Sequence, residues 1–519
     1  MTFPSLSTNP LSALLPFKLK ELPGFPHKEY LAQLEAYTLL ESWYDGSQLS
    51  ATVVDEASGQ SVEKYPIKIN PIKQTAQKHV GVLFGQNVDS IKMGGIPVQF
   101  IPETDDLSVD EAAKMKKALT RMYEDSHCGG MFYANGLISQ HQGGCVFAAN
   151  WHPETKTIEI TNPEPKEFIG IPDGKNYWNL REGWIVRAIS ETEAKSYGYV
   201  PKMGESDFFY IEYWTRTTYK IMVNGKVITI GDTDQKAEGD NPFGVVPIVY
   251  IPHIRERGFL GIPIITESTK GLVREMNLRW ADVGDGVSED SHQLIAMRNM
   301  RGSPKTIDVN GRNVVDLGSV MGLTPNESAP DLIALKTQSV SEPMLKFGAE
   351  LEVLYRREMN HPAVADGEDE GSQRSSLTLT TRMWPLVAEA EFERVWWTIG
   401  LTVFSRILMK MAIEKGVYGI TQKMLEASFV VQWLPMLPRD REALVQEAVM
   451  RSTSNLASQT HLMQLFGDIQ DPEAELAKII EQNEKVSKSE QPPIAQPGFG
   501  GSSNQGAKNT PGANIAKEK

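Results

Sequence analysis

Histidine and cysteine residues form the first candidate for metal chemistry in the sequence. Zinc is commonly bound by Cys and His side chains that lie at short intervals along a chain. The sequence offers such side chains at His127, Cys128, His141 and Cys145. Adjacent residues such as His127 and Cys128 do not easily point into one tetrahedral site. We therefore favour a structural role for the group, with Gly143-Gly144 turning the chain into the next strand.

A run of carboxylates is the second candidate, for a divalent cation with oxygen ligands. Its members are Asp366, Glu368, Asp369 and Glu370. The run lacks the ordered alternation and the terminal Glu of a calcium-binding EF-hand loop. A solvated, mobile loop is the favoured interpretation, and its position between two long helical patterns keeps it a candidate for function.

Basic and aromatic side chains offer two candidate contact surfaces. The basic residues Arg298, Arg301, Lys305 and Arg312 cluster in an otherwise acidic chain. They form either a solvated face or a patch that meets nucleic acid or an acidic partner. The pair Trp396-Trp397 is interpreted as core or subunit contact rather than as a platform for stacking bases. Adjacent helical residues point about 100° apart, so one tryptophan can face the core and the other a neighbour.

Sequence motifs of common enzymes are absent. The chain contains no GxGxxG, GxxxxGK[ST], HExxH, GxSxG or paired CxxC motif. In a chain of 519 residues this absence favours a scaffold over a catalyst. We therefore expect no catalytic residue, no metal site and no cofactor.

Composition narrows the class of protein further. The chain is 40% hydrophobic and 23% charged, as in folded soluble proteins, and its length predicts about three domains. Its formal charge of −14 argues against a protein that grips nucleic acid over a broad surface. We expect neither a signal peptide nor a membrane span, because no apolar run is long enough and the start lacks a basic region. Two cysteines predict a reducing compartment.

The elements that would position these residues follow from periodicity. A helix is predicted from His27 to about Gly46, and a second one starts at Ser108, which has capping-box spacing with Glu111. Residues 131–251 are predicted to be rich in β-strands, with a hairpin turn at Asn224-Gly225. The stretch DNPFGVVPIVYIPH (240–253) reads as a turn and an apolar strand whose prolines suit a sheet edge.

Helical patterns dominate after Gly261. A short β-like island contains a turn at Asn310-Gly311. The longest helical pattern runs from about Leu377 to Lys415, and Pro385 either begins or kinks that helix. Several shorter helices are predicted after it, and beyond about Ser487 the composition is typical of disorder.

This order of elements resembles that of the portal proteins of tailed double-stranded DNA bacteriophages, over about residues 27–485. The resemblance rests on Trp43-Tyr44-Asp45-Gly46 at the end of the first helix and on the strand that opens at Gly144. It rests also on FGVVPIVYIPH, which is similar to the family's Phe-Gly-x-Val-Pro-Val segment, and on Gly261-Ile262-Pro263 before the stem helix. The family's Leu-Asn pair is reversed here, as Asn277-Leu278.

The resemblance implies an α+β portal fold with a β-rich wing, a helical stem, a small α/β clip, a long helix that spans the wing and a helical C-terminal crown. The implied segments are a flexible N-terminal arm (1–26), wing (27–263), stem helix (264–295), clip (296–335), returning helix (336–361), tunnel loop (362–378), long wing helix (379–415), crown (416–485) and disordered tail (486–519).

The function implied by the resemblance is structural. Portal proteins form a ring, usually of twelve subunits, at one capsid vertex, and the terminase motor drives double-stranded DNA through it. Expected partners are other copies of the chain, DNA, the terminase large subunit, major capsid and scaffold proteins, and head-tail adaptor proteins, without a membrane. The expected location is the virion, after assembly in the host cytoplasm.

Residue roles under this interpretation follow the implied segments. Candidate tunnel-loop residues are Asp366, Glu368, Asp369, Glu370, Gln373, Arg374 and Ser375. Candidate clip contacts with the motor or DNA are Arg298, Arg301, Lys305 and Arg312. Candidate subunit contacts are Trp396 and Trp397. Two alternatives stay open: a metal-dependent enzyme that uses 366–370 or the His127–Cys145 group, and another virion head or adaptor protein.

Overall fold

The chain forms two compact units, Met1–Pro438 and Arg439–Lys519. A computed structural model describes residues 22–50, 52–54, 61–63, 68–85, 95–103, 107–174, 176–228, 237–291, 294–298, 305–309, 312–316, 331–335, 342–368, 376–437, 441–454, 456–466 and 472–489. Both helices and antiparallel strands are present in the first unit, and the described part of the second is helical. The α+β class predicted from the sequence is thus confirmed.

The helices begin and end as follows. In the first unit they are α1 His27–Asp45, α2 Ile72–Phe84, α3 Val109–Asp125, α4 Cys128–Gln142, α5 Glu191–Ser196, α6 Glu267–Ser291, α7 Glu342–Glu358, α8 Ser376–Lys415 and α9 Gln422–Glu426. Single turns of 3₁₀ helix occupy Ser47–Ser50, Pro165–Glu167 and Ala363–Asp366. In the second unit they are α10 Arg441–Thr453, α11 Gln459–Phe466 and α12 Pro472–Ser489.

The strands pair in antiparallel ladders. In chain order they are β1 Thr52–Val54, β2 Ser61–Glu63, β3 Val98–Pro102, β4 Gly144–His152, β5 Thr157–Thr161, β6 Phe168–Asp173, β7 Asn176–Ile189, β8 Phe208–Thr215, β9 Thr218–Val223, β10 Lys226–Val227, β11 Glu238–Asp240, β12 Ile248–Pro252, β13 Leu294–Arg298, β14 Lys305–Val309, β15 Arg312–Asp316, β16 Asp331–Leu335 and β17 Phe429–Trp433. The two-stranded sheets are β1-β2, β13-β16, β14-β15 and β17-β3.

Local sequence signals explain several element ends. Helix α3 begins with the predicted capping box, in which Ser108 Oγ accepts from the Glu111 amide and the Glu111 side chain accepts from the Ser108 amide. Helix α1 ends at Gly46, which has a φ of 79°. Strands β9 and β10 are joined by Asn224 and Gly225, whose φ values of 49° and 78° are those of a type I′ turn. These three predictions are confirmed.

A six-stranded sheet occupies residues 168–240. Its order is β10-β9-β8-β7-β6, with β11 paired to β9. Trp184 on β7 packs edge-on against Phe25, with ring centroids 5.3 Å apart, and Phe25 is buried together with Tyr30 of α1. Phe25 belongs to the segment predicted as the N-terminal arm, and residues 1–21 of that arm lie outside the described residues.

The central core lies between α8 and a three-stranded sheet, β12-β4-β5. Trp397 of α8 is fully buried there against Phe84 of α2 and Phe147 of β4. Strand β12 is at the edge of this sheet, as its prolines predict, and all five of its residues are buried. The stretch quoted from 240–253 is therefore a structural element that closes the sheet beneath α8.

Helix α4 differs from the β-rich pattern expected from residue 131. Glycines at positions 129, 130 and 136 weaken its helical signal. At Gly136 the glycine permits close packing, because an added Cβ would lie 2.6 Å from the Phe84 ring of α2. The helix ends at Gly143, with a φ of 82°, and β4 begins at Gly144, so the turn predicted for this glycine pair is confirmed.

Helices α6 and α7 pack against each other. Val273 and Met276, near the start of α6, share a buried cluster with Leu351 and Tyr355, near the end of α7. The chain therefore leaves along one helix and returns along the other. Between them, β13 pairs with β16 and β14 with β15. The predicted turn at Asn310-Gly311 lies outside the described residues, and it separates the paired strands β14 and β15.

The long helix α8 begins within one residue of the start at about Leu377 that the sequence pattern predicts, and three residues before the segment 379–415 implied by the resemblance. Its first residue is Ser376, inside the segment 362–378 predicted as the tunnel loop, and it continues through Pro385. The helix therefore does not begin at that proline. Beyond it, β17 pairs with β3, which joins residues 429–433 to residues 98–102.

Candidate functional site

A buried cluster of ionisable and amide side chains lies beneath α8. Its members are His79 of α2, Gln140 of α4, His253 directly after β12, and Glu389 and Glu393 of α8. The two glutamates are four residues apart, so they lie on the same face of the helix. Except for Glu389, which is partly exposed, all of these residues are buried.

His253 and Glu393 form the centre of this buried cluster. His253 Nε2 lies 2.7 Å from Glu393 Oε1, and the two side chains are 2% and 1% exposed. His253 Nδ1 donates to the Ile262 carbonyl at 2.8 Å, since a carbonyl can only accept. Gln140 Nε2 donates to the same Glu393 Oε1 at 2.8 Å. Burial alone would lower the pKa of His253, but the charge and hydrogen bond of Glu393 outweigh it, and the pKa is raised.

Glu389 and His79 extend the buried cluster. Burial, with the nearby charge of Glu393, raises the pKa of Glu389 to about 7. Burial lowers the pKa of His79 to about 3, so its imidazole is neutral at physiological pH. The two side chains approach to 3.9 Å, between His79 Nδ1 and Glu389 Oε2. A pocket of about 170 Å³ opens beside them and is lined in part by His253, Glu256, Glu358 and Glu389.

A second group, the loop-base network, consists of Lys78, Arg356, His361, Asp366 and Glu368. Asp366 pairs with Lys78 and lies 3.0 Å from His361 Nε2. Arg356 makes a bidentate pair with Glu368, with both N···O distances 2.7 Å. Burial would raise the pKa of Asp366, but the hydrogen bonds with Lys78 and His361 outweigh it, and the pKa is lowered. The His361 and His79 rings stack 5.9 Å apart, so this network adjoins the buried cluster.

The structure describes two of the seven predicted tunnel-loop residues, Asp366 and Glu368. Asp366 and Glu368 are held by basic side chains of α2 and α7, whereas the sequence analysis placed them in a solvated, mobile run. The reason is that Lys78 is 288 residues from Asp366 and that Arg356, 12 residues before Glu368, lies on a different element, so both pairs form only in the fold. The other predicted members, Asp369, Glu370, Gln373, Arg374 and Ser375, lie outside the described residues.

The predicted clip residues occupy paired strands. By register, Arg298 of β13 is opposite Asp331 of β16, and Lys305 of β14 is opposite Asp316 of β15. Arg312 is the first residue of β15. Arg301 lies outside the described residues. Contacts of these four residues with a motor or with DNA stay predictions.

The predicted tryptophan pair is split between core and surface. Trp397 is fully buried within this chain. Trp396 is partly exposed and stacks on Trp178, with ring centroids 6.5 Å apart. The different directions expected for adjacent helical residues are therefore observed, and only Trp396 of the pair remains available for a contact with a neighbouring subunit.

The histidine and cysteine group from the sequence analysis does not gather into a metal centre. Cys128 and Cys145 are buried, and burial raises the pKa of each thiol, which disfavours the thiolate that binds metal. His141 stacks on Tyr44 at 4.2 Å, and its Nδ1 lies 2.6 Å from the Leu137 carbonyl. These contacts are structural, as the sequence analysis favoured.

Two features were missed by sequence reasoning. The first is the buried cluster, for which the sequence signal was the spacing of Glu389 and Glu393 by one helical turn. The second is an apolar stripe on the outer face of α8. The stripe consists of Trp384, Phe392, Val395 and Ile399, which are 57%, 52%, 52% and 37% exposed. Their spacing of eight, three and four residues places them on one side of the helix.

A family model described as phage portal protein, SPP1 Gp6-like, matches residues 27–489. No curated protein matches the chain. Over the part of the chain that the structure describes, no helix has both the length and the apolar character needed to cross a membrane.

Proposed function

The chain belongs to the SPP1 Gp6-like family of phage portal proteins, since the family model matches most of its length, and from this premise we propose that it forms the ring through which double-stranded DNA enters and leaves the capsid. A phage portal role at the capsid vertex follows from membership of the family. To this portal role the proposal adds three details: a ring of about twelve subunits, a DNA channel and the docking partners. The family match is the observation that carries the proposal.

The exposed apolar surface of two helices supports ring formation. The α8 stripe presents four large apolar side chains to solvent in the isolated chain. Phe347 and Leu354, seven residues apart on α7, are 43% and 47% exposed. Subunits in a closed ring meet through two different surfaces, one for each neighbour. The α8 stripe and the α7 pair are separate surfaces of the kind that such an interface would cover.

The charge of the chain supports a channel that does not hold DNA. Affinity for DNA comes mostly from Lys and Arg that neutralise phosphates. A chain with a formal charge of −14 presents an excess of carboxylates, which repel phosphates and leave no deep binding minimum along a path. DNA would then slide, while a few basic residues contact it at chosen levels.

The order of the elements supports the placement of the docking surfaces. Helices α6 and α7 form the stem pair, and the strands β13–β16 between them form the clip at its far end. We assign the clip to the terminase large subunit during packaging and to head-tail adaptor proteins afterwards. Capsid and scaffold proteins would surround the wing, and assembly would take place in the host cytoplasm. The motor hydrolyses ATP, and the portal acts as a structural, non-enzymatic component.

The mass and shape of the purified protein test this proposal. We expect a ring of about twelve times the 57.7 kDa chain mass, with a central hole wide enough for a DNA duplex. Native mass spectrometry gives the subunit number, and negative-stain projections give the hole. A stable monomer, both alone and after mixing with the scaffold protein of its phage, would overturn the ring.

A further inference from the structure

The buried cluster contains a set of ligand atoms that matches the requirements of a metal ion. Within the described residues, His253, Glu389 and Glu393 each offer one ligand atom, and the three atoms lie within 4.8 Å of one another. Imidazole nitrogens and carboxylate oxygens are both ligand types that Zn²⁺ binds, and three protein ligands leave a fourth tetrahedral position for water. The set draws on two distant parts of the chain, β12 and α8.

The hydrogen bonds around His253 orient it as a ligand. Its Nδ1 donates to the Ile262 carbonyl, which leaves Nε2 directed at Glu393. Metal-binding histidines usually donate their second ring nitrogen to a carbonyl or carboxylate in this way, which fixes the tautomer and the ring. Gln140 supports Glu393 similarly, through a hydrogen bond to Oε1. These contacts supply the outer shell that a metal site requires.

Carboxylate oxygens without partners indicate that the cluster is incomplete without a cation. Glu393 is 1% exposed, and its Oε2 has no hydrogen-bond partner. Glu389 Oε2 is also buried without a hydrogen-bond partner. Buried polar atoms in native proteins nearly always have a partner, and two adjacent carboxylates repel each other. A divalent cation between them would satisfy both oxygens and neutralise the repulsion.

A pocket gives an ion access to the buried cluster. The pocket beside the cluster is lined by His253 and Glu389, and the acidic side chains Glu256 and Glu358 also line it. An ion entering through this pocket would meet carboxylates first. His79 Nδ1 is 3.9 Å from Glu389 Oε2, but His79 is not part of the group of three ligand atoms, so the fourth position is assigned to water.

We propose that His253, Glu389 and Glu393 bind a divalent transition-metal ion, Zn²⁺ in the first instance, that ties β12 to α8. Binding replaces the proton shared between His253 Nε2 and Glu393 Oε1, and that proton is released to solvent. The role is structural, because the ion would link the end of β12 to α8, two elements that are far apart in the sequence. The proposal does not depend on ring formation.

Titration of the untagged, full-length protein with Zn²⁺ tests the site. The protein is stripped with EDTA, dialysed and titrated by isothermal calorimetry, and bound metal is counted by mass spectrometry after gel filtration. We expect one Zn²⁺ per chain and a rise in melting temperature on binding. The absence of saturable binding at one ion per chain would overturn the proposal.

Three variants locate the ion. Glu389→Gln is expected to weaken Zn²⁺ binding by at least about tenfold, the lower end of the effect of losing even an outer-shell partner. Glu393→Gln is expected to do the same. Glu391→Gln, on the same helix but exposed, is the matched control and should bind as the native protein does. Native-like binding by a folded Glu389→Gln protein would overturn the site, whether or not Glu393→Gln folds.

Discussion

Glu389 is a carboxylate in surroundings that disfavour its charge. Burial and the nearby Glu393 raise its pKa from 4.5 to about 7. A carboxyl group whose pKa is higher in the folded than in the unfolded state binds more protons when folded. Its favourable contribution is therefore fully present below about pH 4.5 and is lost as the pH rises through about 7. The change in pKa corresponds to roughly 3 kcal/mol.

Replacing this carboxyl group should remove that pH dependence. In the presence of EDTA, Glu389→Gln is expected to be more stable than the native protein at pH 8, by up to about 3 kcal/mol, and nearly equal to it near pH 4.5. Urea unfolding followed by circular dichroism at the two pH values measures the difference. A variant that is less stable at pH 8 than the native protein would contradict the direction of the shift.

At the scale of residues, the sequence showed which ionisable side chains are present but not which of them lie close together in the fold. The acidic run was recognised, yet the partners of Asp366 and Glu368 are Lys78, 288 residues away, and Arg356. The buried cluster likewise joins His253 to Glu393 across 140 residues. No local pattern encodes such pairs, because their attraction depends on distances that only the fold sets.

At the scale of elements, the contact between α8 and β12 depends on a glycine. An added Cβ at Gly400 would lie 2.6 Å from Ile251 Cγ1 and 2.7 Å from Ile251 Cδ1. Ile251 is fully buried, so it has little freedom to move away. The close approach of helix and strand therefore requires the absence of a side chain at this position.

Alanine substitutions at two helical glycines should have opposite effects. Gly400→Ala is expected to destabilise the chain by about 1–3 kcal/mol through overpacking. Gly271→Ala on α6, where nothing lies within 4 Å of an added Cβ, should stabilise it by about 0.5–1 kcal/mol, because alanine favours helix. Urea midpoints of the two variants and the native protein measure both effects. Equal effects of the two substitutions would contradict this account of the packing.

Elements were predicted from sequence where the signal is local and were missed where tertiary packing decides. The capping box at Ser108 and the turn at Asn224-Gly225 depend on adjacent backbone groups, so their residues suffice. Helix α4 carries glycines that disfavour helix in isolation, and burial against α2 outweighs that preference. The helical pattern located the start of α8 to within one residue of Ser376, but it did not separate that start from the segment 362–378 implied as the tunnel loop.

At the scale of the whole molecule, the isolated chain exposes apolar side chains that an assembly would cover. The α8 stripe and the α7 pair expose large apolar side chains on different helices. Sequence reasoning chose the neighbouring Trp396-Trp397 instead, since adjacent bulky residues stand out in a sequence more than residues three and four apart. Family resemblance predicted the assembly, and the structure supplies candidate residues for it.

A charge placed in the α8 stripe should prevent assembly without unfolding the chain. Val395→Asp puts a carboxylate on a surface that the proposed ring would bury, and a buried unpaired charge is strongly unfavourable. We expect sedimentation to shift from the ring to a single chain, with an unchanged circular dichroism spectrum. Val200→Asp, at a valine that is 78% exposed outside the stripe, is the control and should assemble. Rings of normal size from Val395→Asp would show that the stripe is not an interface.

The pairing of β3 with β17 also sets a time order for the nascent chain. About 330 residues separate the two strands, and the ribosome adds about 5–20 residues each second. Strand β3 therefore waits roughly 15 to 65 s for its partner after it leaves the ribosome. For most of that interval α8 and its Trp397 are also missing from the core. Completion of the first unit is therefore a late event in synthesis, and until then the edge of β3 lacks the strand that covers it.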